Sequence, residues 1–407
     1  MKARTCRLCD EAEIAPLLDL GPQPLCNRYL AGKQADEYTH PLRLWQCPAC
    51  GLVQLDEPAP AAELRSRFDW ITYREVEGHL DDLADVLSRL PGITPQTRFC
   101  GVTYKDDPLL QRLRQRGFER CWRIDPKNDL DVEDPLADVE TIQERLTPAA
   151  AHAVGRAHGR PDVVIARHIL EHTHDTLGFM AGLKALAAPD GYVVCEVPAC
   201  ERLLEQGDYT ALWEEHVLYL TAETLRRSVS SAGLSLVELK TYPHFPEDIL
   251  VVIAGTRPGP AAAVPAGGAP RGELIRASAF ARGFPKTRRQ FREFLGDQAR
   301  RGTIALFGAG HRSAMFINLL ELKDLIGFVV DDDPNKRGLL MPGSQLAILD
   351  SAALREKNAK LCLLVMGPES ETKVVEKNRL FTEQGGTFAS IFPGSPYAPK
   401  SGFSGRA

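Results

Sequence analysis

The sequence predicts an α/β protein made of a small N-terminal metal-binding module and two larger α/β units. Three observations carry that expectation. Short apolar runs alternate with amphipathic helical runs from about residue 65 onward, the pattern of a mainly parallel sheet wound on both faces. A Pro-, Gly- and Ala-rich stretch, "GTRPGPAAAVPAGGAPRGE", divides the alternating region in two. The first fifty residues hold two Cys-x-x-Cys pairs. The expected boundaries are 1–65 for the module, 66–256 for the central domain, 257–285 for a linker and 286–407 for the C-terminal unit. A chain of 407 residues is long enough to need several cores.

The module comes first. In "CRLC" (Cys6, Cys9) and "CPAC" (Cys47, Cys50) each pair folds two thiolates toward one ion, and two such knuckles complete the tetrahedral set of zinc. Four thiolates leave no open position, so the ion is structural. The competing reading is four buried thiols without a metal. Cys26, in "GPQPLCNRYL", has no close cysteine partner and reads as a small core residue. Apolar residues make up 44% of the chain and charged residues 25%, and the net charge is -5 with both signs interleaved. Nothing in that balance suits a nucleic-acid partner. No apolar run is long enough to span a bilayer. The opening "MKARTCRLCDEAEIAP" lacks the apolar core of a secretory leader. A cytoplasmic protein without a membrane partner is expected, and a reducing compartment favours metal-bound thiolates over disulfides.

In the central domain, "EGHLDDLADVLSRLPG" sets Leu80, Leu83, Val86 and Leu87 on one helical face and stops at Pro-Gly. "TRFCGVTY" reads as a strand, "DPLLQRLRQRG" as a helix closed by Gly117, and "RCWRIDP" as a strand ending in Asp125. "PDVVIARHIL" and "GYVVCEVPA" are further buried strands, and "LSLVELKTY" and "DILVVIAGT" a final antiparallel pair. Beyond the linker comes a basic helix, "KTRRQFREFLGDQARRG". "TIALFGAGHRSAMFINLLEL" is then strand, glycine turn and helix. "IGFVVDDDPNKRG", whose strand ends in Asp331, and "AKLCLLVMGP" add two more strands.

Four stretches are candidates for chemistry. "FCGVTYKDDPLL" stands where a glycine-rich cofactor loop is expected, yet it holds one glycine, Gly101. Backbone amides at Thr103 and Tyr104 can still face a carboxylate. Asp125 ends the next strand, where a carboxylate binds ribose hydroxyls. "ARHILEHTHD" puts His168, Glu171 and His172 at the carboxyl end of a strand, where open α/β sheets hold ligands; the alternative is a helix N-terminus with exposed histidines. "LWEEHVLYLT" brings together Trp213, Glu214, Glu215, His216 and Tyr219. A carboxylate beside an imidazole holds its tautomer and raises its basicity, and a tyrosine can donate to an oxyanion; the alternative is an amphipathic turn. "GAGHRS" (Gly308, Gly310), with Asp331 downstream, outlines a dinucleotide fingerprint lacking its third glycine. The alternative is a Rossmann-like unit for another nucleotide, or for none.

Together "CRLC", "LGPQPLCNRYL", "CPACGLVQL", "RHILEH", "GYVVCEVP", "EEHVLYLT", "GAG" and "FVVDDDPNKRGLLMPGS" resemble one family in order and spacing over nearly the whole chain. It is the sugar C-methyltransferase family of deoxysugar and antibiotic biosynthesis. The resemblance implies a zinc module, a class I methyltransferase-like domain for S-adenosylmethionine and a C-terminal Rossmann-like domain, in a monomer or dimer. It implies a nucleotide-linked keto-deoxysugar, or a similar small carbonyl compound, as substrate. A base removes the proton beside the ketone, and the enolate attacks the cofactor's methyl group. By that resemblance His216 is the base, Glu215 its orienting partner, and His168 or His172 polarises the keto oxygen. Tyr219 and Tyr73 complete the catalytic set. Gly101, Thr103, Asp106, Asp125, Arg167 and His168 are the expected cofactor contacts. The chain departs from the family in three places. Of its loop E-I-G-x-N-D-G only Asp106 survives, a tyrosine-serine-glycine segment is replaced by "WITYREVEGHL", and "HGGS" has become "HFPED", keeping His244. The departures leave an alternative open: a protein without S-adenosylmethionine activity that binds a nucleotide sugar or performs an epimerase-like proton transfer.

Overall fold

A computed structural model describes residues 5–9, 13–71, 75–134, 137–257 and 271–400. The N-terminal module is an antiparallel meander of β1 (Ala15–Pro24), β2 (Thr39–Gln46) and β3 (Val53–Leu55). Along β2 the inward positions are Leu42, Leu44 and Gln46, the alternation of a sheet covered on one face.

The central domain contributes β4 (Phe99–Gly101), β5 (Cys121–Arg123), β6 (Val163–Arg167), β7 (Tyr192–Pro198), β8 (Leu218–Tyr219), β9 (Ser235–Tyr242) and β10 (Ile249–Gly255). Six of these form one sheet in the order β5-β4-β6-β7-β10-β9. β4 to β7 pair in parallel, and β10 pairs antiparallel with β7 and β9, as expected. β6 is buried throughout, because helices cover both faces of the sheet, so its sequence reads as an unbroken apolar run. β8 leaves this sheet. It pairs with β3, with Val53 opposite Tyr219 and Gln54 opposite Leu218. The segment that carries His216 is thereby sewn to the metal-binding module.

The C-terminal unit is a parallel sheet of β11 (Thr303–Phe307), β12 (Phe328–Val330), β13 (Ile348–Leu349), β14 (Ala359–Leu364) and β15 (Thr387–Ser390), in the order β13-β12-β11-β14-β15. A helix from Arg271 to Ala299 leads into it. The second half of the stretch expected as linker, 257–285, is therefore helix, and residues 258–270 lie outside the described residues. The expected break falls at Pro285, since a proline inside a helix removes a hydrogen bond and usually ends it. Here packing outweighs that cost. Ala277, Phe280, Phe284, Phe291 and Leu295 recur at helical spacing and bury against Leu203, Leu204, Tyr209 and Phe316. Each buried Phe contributes about 1.5–3 kcal/mol. Among the described residues no helix is long and apolar enough to cross a membrane.

Candidate active site and zinc centre

The four paired cysteines converge. Their Sγ atoms all lie within 4.8 Å of one another, with Cys6–Cys50 at 3.5 Å and Cys9–Cys47 at 3.6 Å. Tetrahedral zinc with bonds of about 2.3 Å sets its sulfurs about 3.8 Å apart, so this set fits the ion. The amides of Leu8 and Cys50 each donate to a knuckle sulfur, Cys6 Sγ and Cys47 Sγ, at 3.4 Å. Cys26 sits apart, buried in the apolar core with Tyr29.

The loop after β4 is closed by its own acid. Asp106 Oδ2 accepts from the amides of Val102 (2.7 Å) and Thr103 (2.8 Å), and Oδ1 from the amide of Arg167 (2.8 Å). Burial pushes the Asp106 carboxyl up to about 7, against those three donors. Thr103 is buried and caps the short turn that follows, its hydroxyl accepting from Lys105 N. Gly101 is needed for this arrangement: a Cβ there would meet Asp106 Cβ at 2.8 Å. The expected cofactor contacts Gly101, Thr103 and Asp106 therefore build the loop, and none of them lines the nearby cavity. Asp125 remains exposed at the end of β5, where it caps the next helix through Asn128 N.

Across the sheet, register makes the charge network. Arg167 of β6 and Glu196 of β7 are paired residues on neighbouring parallel strands. Arg167 Nη2 meets Glu196 Oε1 at 2.8 Å and Nε meets Oε2 at 2.9 Å, both groups fully buried. Arg167 also donates to Lys105 O. Its guanidinium is held by framework partners. Glu196 further binds His79 Nε2 at 3.0 Å and stands 2.9 Å from His168 Nε2. His168 takes a left-handed backbone, φ 49°, at the end of β6. Burial opposes its charge, but Glu75, Glu171 and Glu196 outweigh burial and hold its pKa up at about 10.

His168 faces a cavity of about 260 Å³ at the carboxyl ends of the strands, together with Glu75, Lys105, Glu171, His216 and His311. Burial, with Lys105 and His168 nearby, lowers His216 to about 4, so it is a neutral imidazole in the same cavity as a protonated one. Trp213 packs beside His216 with ring centres 4.9 Å apart, and stacks on His311 at 4.4 Å and 14°. Glu171 is the carboxylate within ligand-like reach of His216. Glu215 is directed away. It accepts from Asn27 Nδ2 and lies with Glu140 and His172. The expected pairing of Glu215 with His216 thus gives way to Glu171, because consecutive residues in this turn face opposite sides.

His172 is likewise outside the cavity. Its Nδ1 is 2.6 Å from Glu140 Oε1, and burial holds its pKa well below the usual value. Of the two histidines expected to polarise a ketone, only His168 reaches the cavity. Tyr219 is buried in β8, and its hydroxyl accepts from Trp213 N (3.0 Å) and donates to Trp213 O (3.2 Å). It latches the Trp213–His216 turn and has no path to an oxyanion. Tyr73 lies outside the described residues. Sequence reading missed Lys105 and Glu75, whose Nζ and Oε1 pair at 2.6 Å beside the cavity, and Glu196.

The C-terminal glycine turn closes on itself as well. Asp331 Oδ2 accepts from Ala309 N at 2.8 Å and pairs with Lys336 Nζ at 3.0 Å, so the acid of the fingerprint is engaged. The helix that follows presents His311 to Trp213 and Arg312 to Asp208 and Glu247, both at 2.8 Å. This unit supplies a wall of the cavity.

The matches along the chain define a methyltransferase. A methyltransferase domain model matches residues 100–239, a zinc binding domain model residues 6–64, and a C-methyltransferase C-terminal domain model residues 273–393. C-methyltransferase NovU of Streptomyces niveus is 25% identical over 406 residues, 95% of this chain and 95% of that protein. The chain is thus similar to a C-methyltransferase along nearly its whole length. Among solved structures, the Burkholderia thailandensis 1,6-didemethyltoxoflavin-N1-methyltransferase, with 1,6-didemethyltoxoflavin and S-adenosylhomocysteine bound, is 17% identical. It covers 50% of this chain and 94% of that one, with a TM-score of 0.32. A SAM dependent methyltransferase from Aquifex aeolicus is 15% identical, covers 45% and 94%, and has a TM-score of 0.29. S-adenosylmethionine offers a ribose diol at one end and a zwitterionic amino acid at the other. Both kinds of donor are present, an exposed carboxylate after β5 and a cavity wall bearing both signs of charge.

Proposed function

We propose that this enzyme methylates a carbon next to the carbonyl of a nucleotide-linked keto-deoxysugar, with His216 as the base. The observation that carries the reading is one cavity faced by a neutral imidazole, His216, and a protonated one, His168. The carbon acid needs that combination. His216 takes the proton, Glu171 stabilises the resulting imidazolium, and His168 holds the negative charge that moves to the oxygen. Trp213 and His311 stack to wall off water. Asp125 would hold the ribose of S-adenosylmethionine, which would supply an electrophilic methyl group. A second cavity of about 370 Å³ adjoins the first at Pro246 and is lined by Tyr209, Phe245, Phe280, Arg202 and Lys286. Aromatic faces with nearby cations suit a nucleotide tail. Cys6, Cys9, Cys47 and Cys50 hold a structural zinc.

The test is hydrogen exchange followed by NMR. Nucleotide-linked 4-keto-deoxysugars are incubated in D2O with the zinc-loaded enzyme and S-adenosylhomocysteine. Deuterium should enter beside the ketone with the native chain and not with His216→Gln. Exchange at the native rate in His216→Gln would remove His216 from the role of base.

A further inference from the structure

We propose that Lys105 and Glu75 form the receptor for the amino-acid end of S-adenosylmethionine, replacing the loop amides that this chain has lost to Asp106. The inference rests on use of that cofactor and names this chain's own residues toward it.

Three observations converge. First, the amides of Val102, Thr103 and Lys105 are all taken within the loop, the first two by Asp106 and the third by the Thr103 hydroxyl. A carboxylate arriving at this loop therefore meets three amides already in use. Second, the loop turns Lys105 into the cavity, its side chain only 5% exposed, and sets Nζ 2.6 Å from Glu75 Oε1. Burying an ammonium is costly unless it meets anions, and Glu75 with Glu171 keeps this one charged. Third, the other strong charges of the cavity wall are engaged with one another. Arg312 pairs with Asp208 and Glu247, Asp248 with Arg202, and His168 stands against Glu196 and Glu171, with Glu75 Oε2 farther off at 3.7 Å.

Lys105 and Glu75 are thus a positive and a negative group, side by side, at the mouth of the cofactor loop. A zwitterionic head group can lie alongside them without breaking their pair, its carboxylate on Lys105 and its ammonium on Glu75. Four alternating charges then form a closed square. A ligand with only one of these charges, or neither, gains far less. The arrangement leaves His216 for the substrate.

The test compares two ligands that share adenosine and sulfur and differ in the head group. S-adenosylhomocysteine carries the amino acid; 5′-methylthioadenosine does not. Both are titrated calorimetrically into the zinc-loaded full chain, into Lys105→Met and into Glu75→Gln. Each substitution should weaken S-adenosylhomocysteine about tenfold or more and leave 5′-methylthioadenosine within about twofold. Lys105→Arg should retain most of the difference between the two ligands. Native binding of S-adenosylhomocysteine that neither substitution weakens would overturn the inference and leave the methyltransferase reading intact. Equal loss of both ligands would assign the pair to the fold and overturn it too. Failure of the native chain to bind either ligand would overturn the cofactor reading, and this inference with it.

Discussion

Replacing Glu196 with glutamine should cost the central domain about 3–5 kcal/mol, the usual loss when one partner of a buried ion pair is removed. Glu196 has no exposed surface, and its two oxygens meet Arg167 at 2.8 and 2.9 Å, His79 at 3.0 Å and His168 at 2.9 Å. Glutamine keeps the shape but turns one acceptor into an N–H donor, facing groups that are themselves donors. The charges of Arg167 and His168 then stand in the core with less to balance them. For a domain of 150–250 residues a loss of this size lowers the melting temperature by about 6–20 °C. Scanning calorimetry of the zinc-loaded chain reads that shift, and NMR titration of His168 reads the second consequence. Its pKa, about 10 in the native chain, should fall toward its ordinary 6.5. Arg167→Met combined with Glu196→Met should cost less than the two single changes added, because the pair leaves no stranded charge. A Glu196→Gln loss below about 1 kcal/mol, with the His168 titration unmoved, would refute the network as the source of both effects.

Further outcomes follow from the same geometry. With His216 titrating at about 4 and His168 at about 10, kcat/KM should stay level between those limits and fall outside them; a break near 6.5 would point to an ordinary exposed histidine instead. The folded pKa of His168 lies above its ordinary value of 6.5, so its contribution to stability is complete below that pH and is lost as pH rises toward 10. Urea midpoints of the native chain should accordingly decline over that interval more than those of His168→Gln. Tyr219→Phe should cost about 1–3 kcal/mol through the stranded Trp213 N–H and change kcat only a few-fold, whereas loss of an oxyanion donor would cost about 100- to 1,000-fold. Cys47→Ser should abolish stoichiometric zinc by mass spectrometry and lower the melting temperature.

Much of this fold was legible because buried parallel strands are apolar on both faces. "VVIA" and "VVCEV" stand out for that reason, and their ends mark the sheet edge where His168 sits. The two cysteine pairs were legible because metal geometry leaves few spacings. Partnerships were not. Glu215 is next to His216 in sequence, but the turn splits them, and the carboxylate beside His216 comes from Glu171 in another segment. Adjacency in sequence predicts contact only where the backbone is regular. Lys105 gave no signal, since nothing local distinguishes an inward lysine in a loop from a solvated one. Glu196 did give one: an ionisable residue inside an apolar strand requires a buried partner. The turn "GAGHRS" left two readings open, and only the folded chain shows Asp331 closing on Ala309.

The pairing of β3 with β8 also bears on how the chain is made. A ribosome delivers the cysteine module first, and its zinc site is complete once Cys50 has emerged. The outer edge of β3 must then wait for Leu218, which follows roughly 8–33 s after Val53 at about 5–20 residues per second. Throughout that interval the nascent module exposes an unpaired strand, a surface on which unfinished chains can associate. Crowded, rapid expression should therefore favour aggregates seeded by the metal-binding end, and slower synthesis at lower temperature should raise the soluble yield.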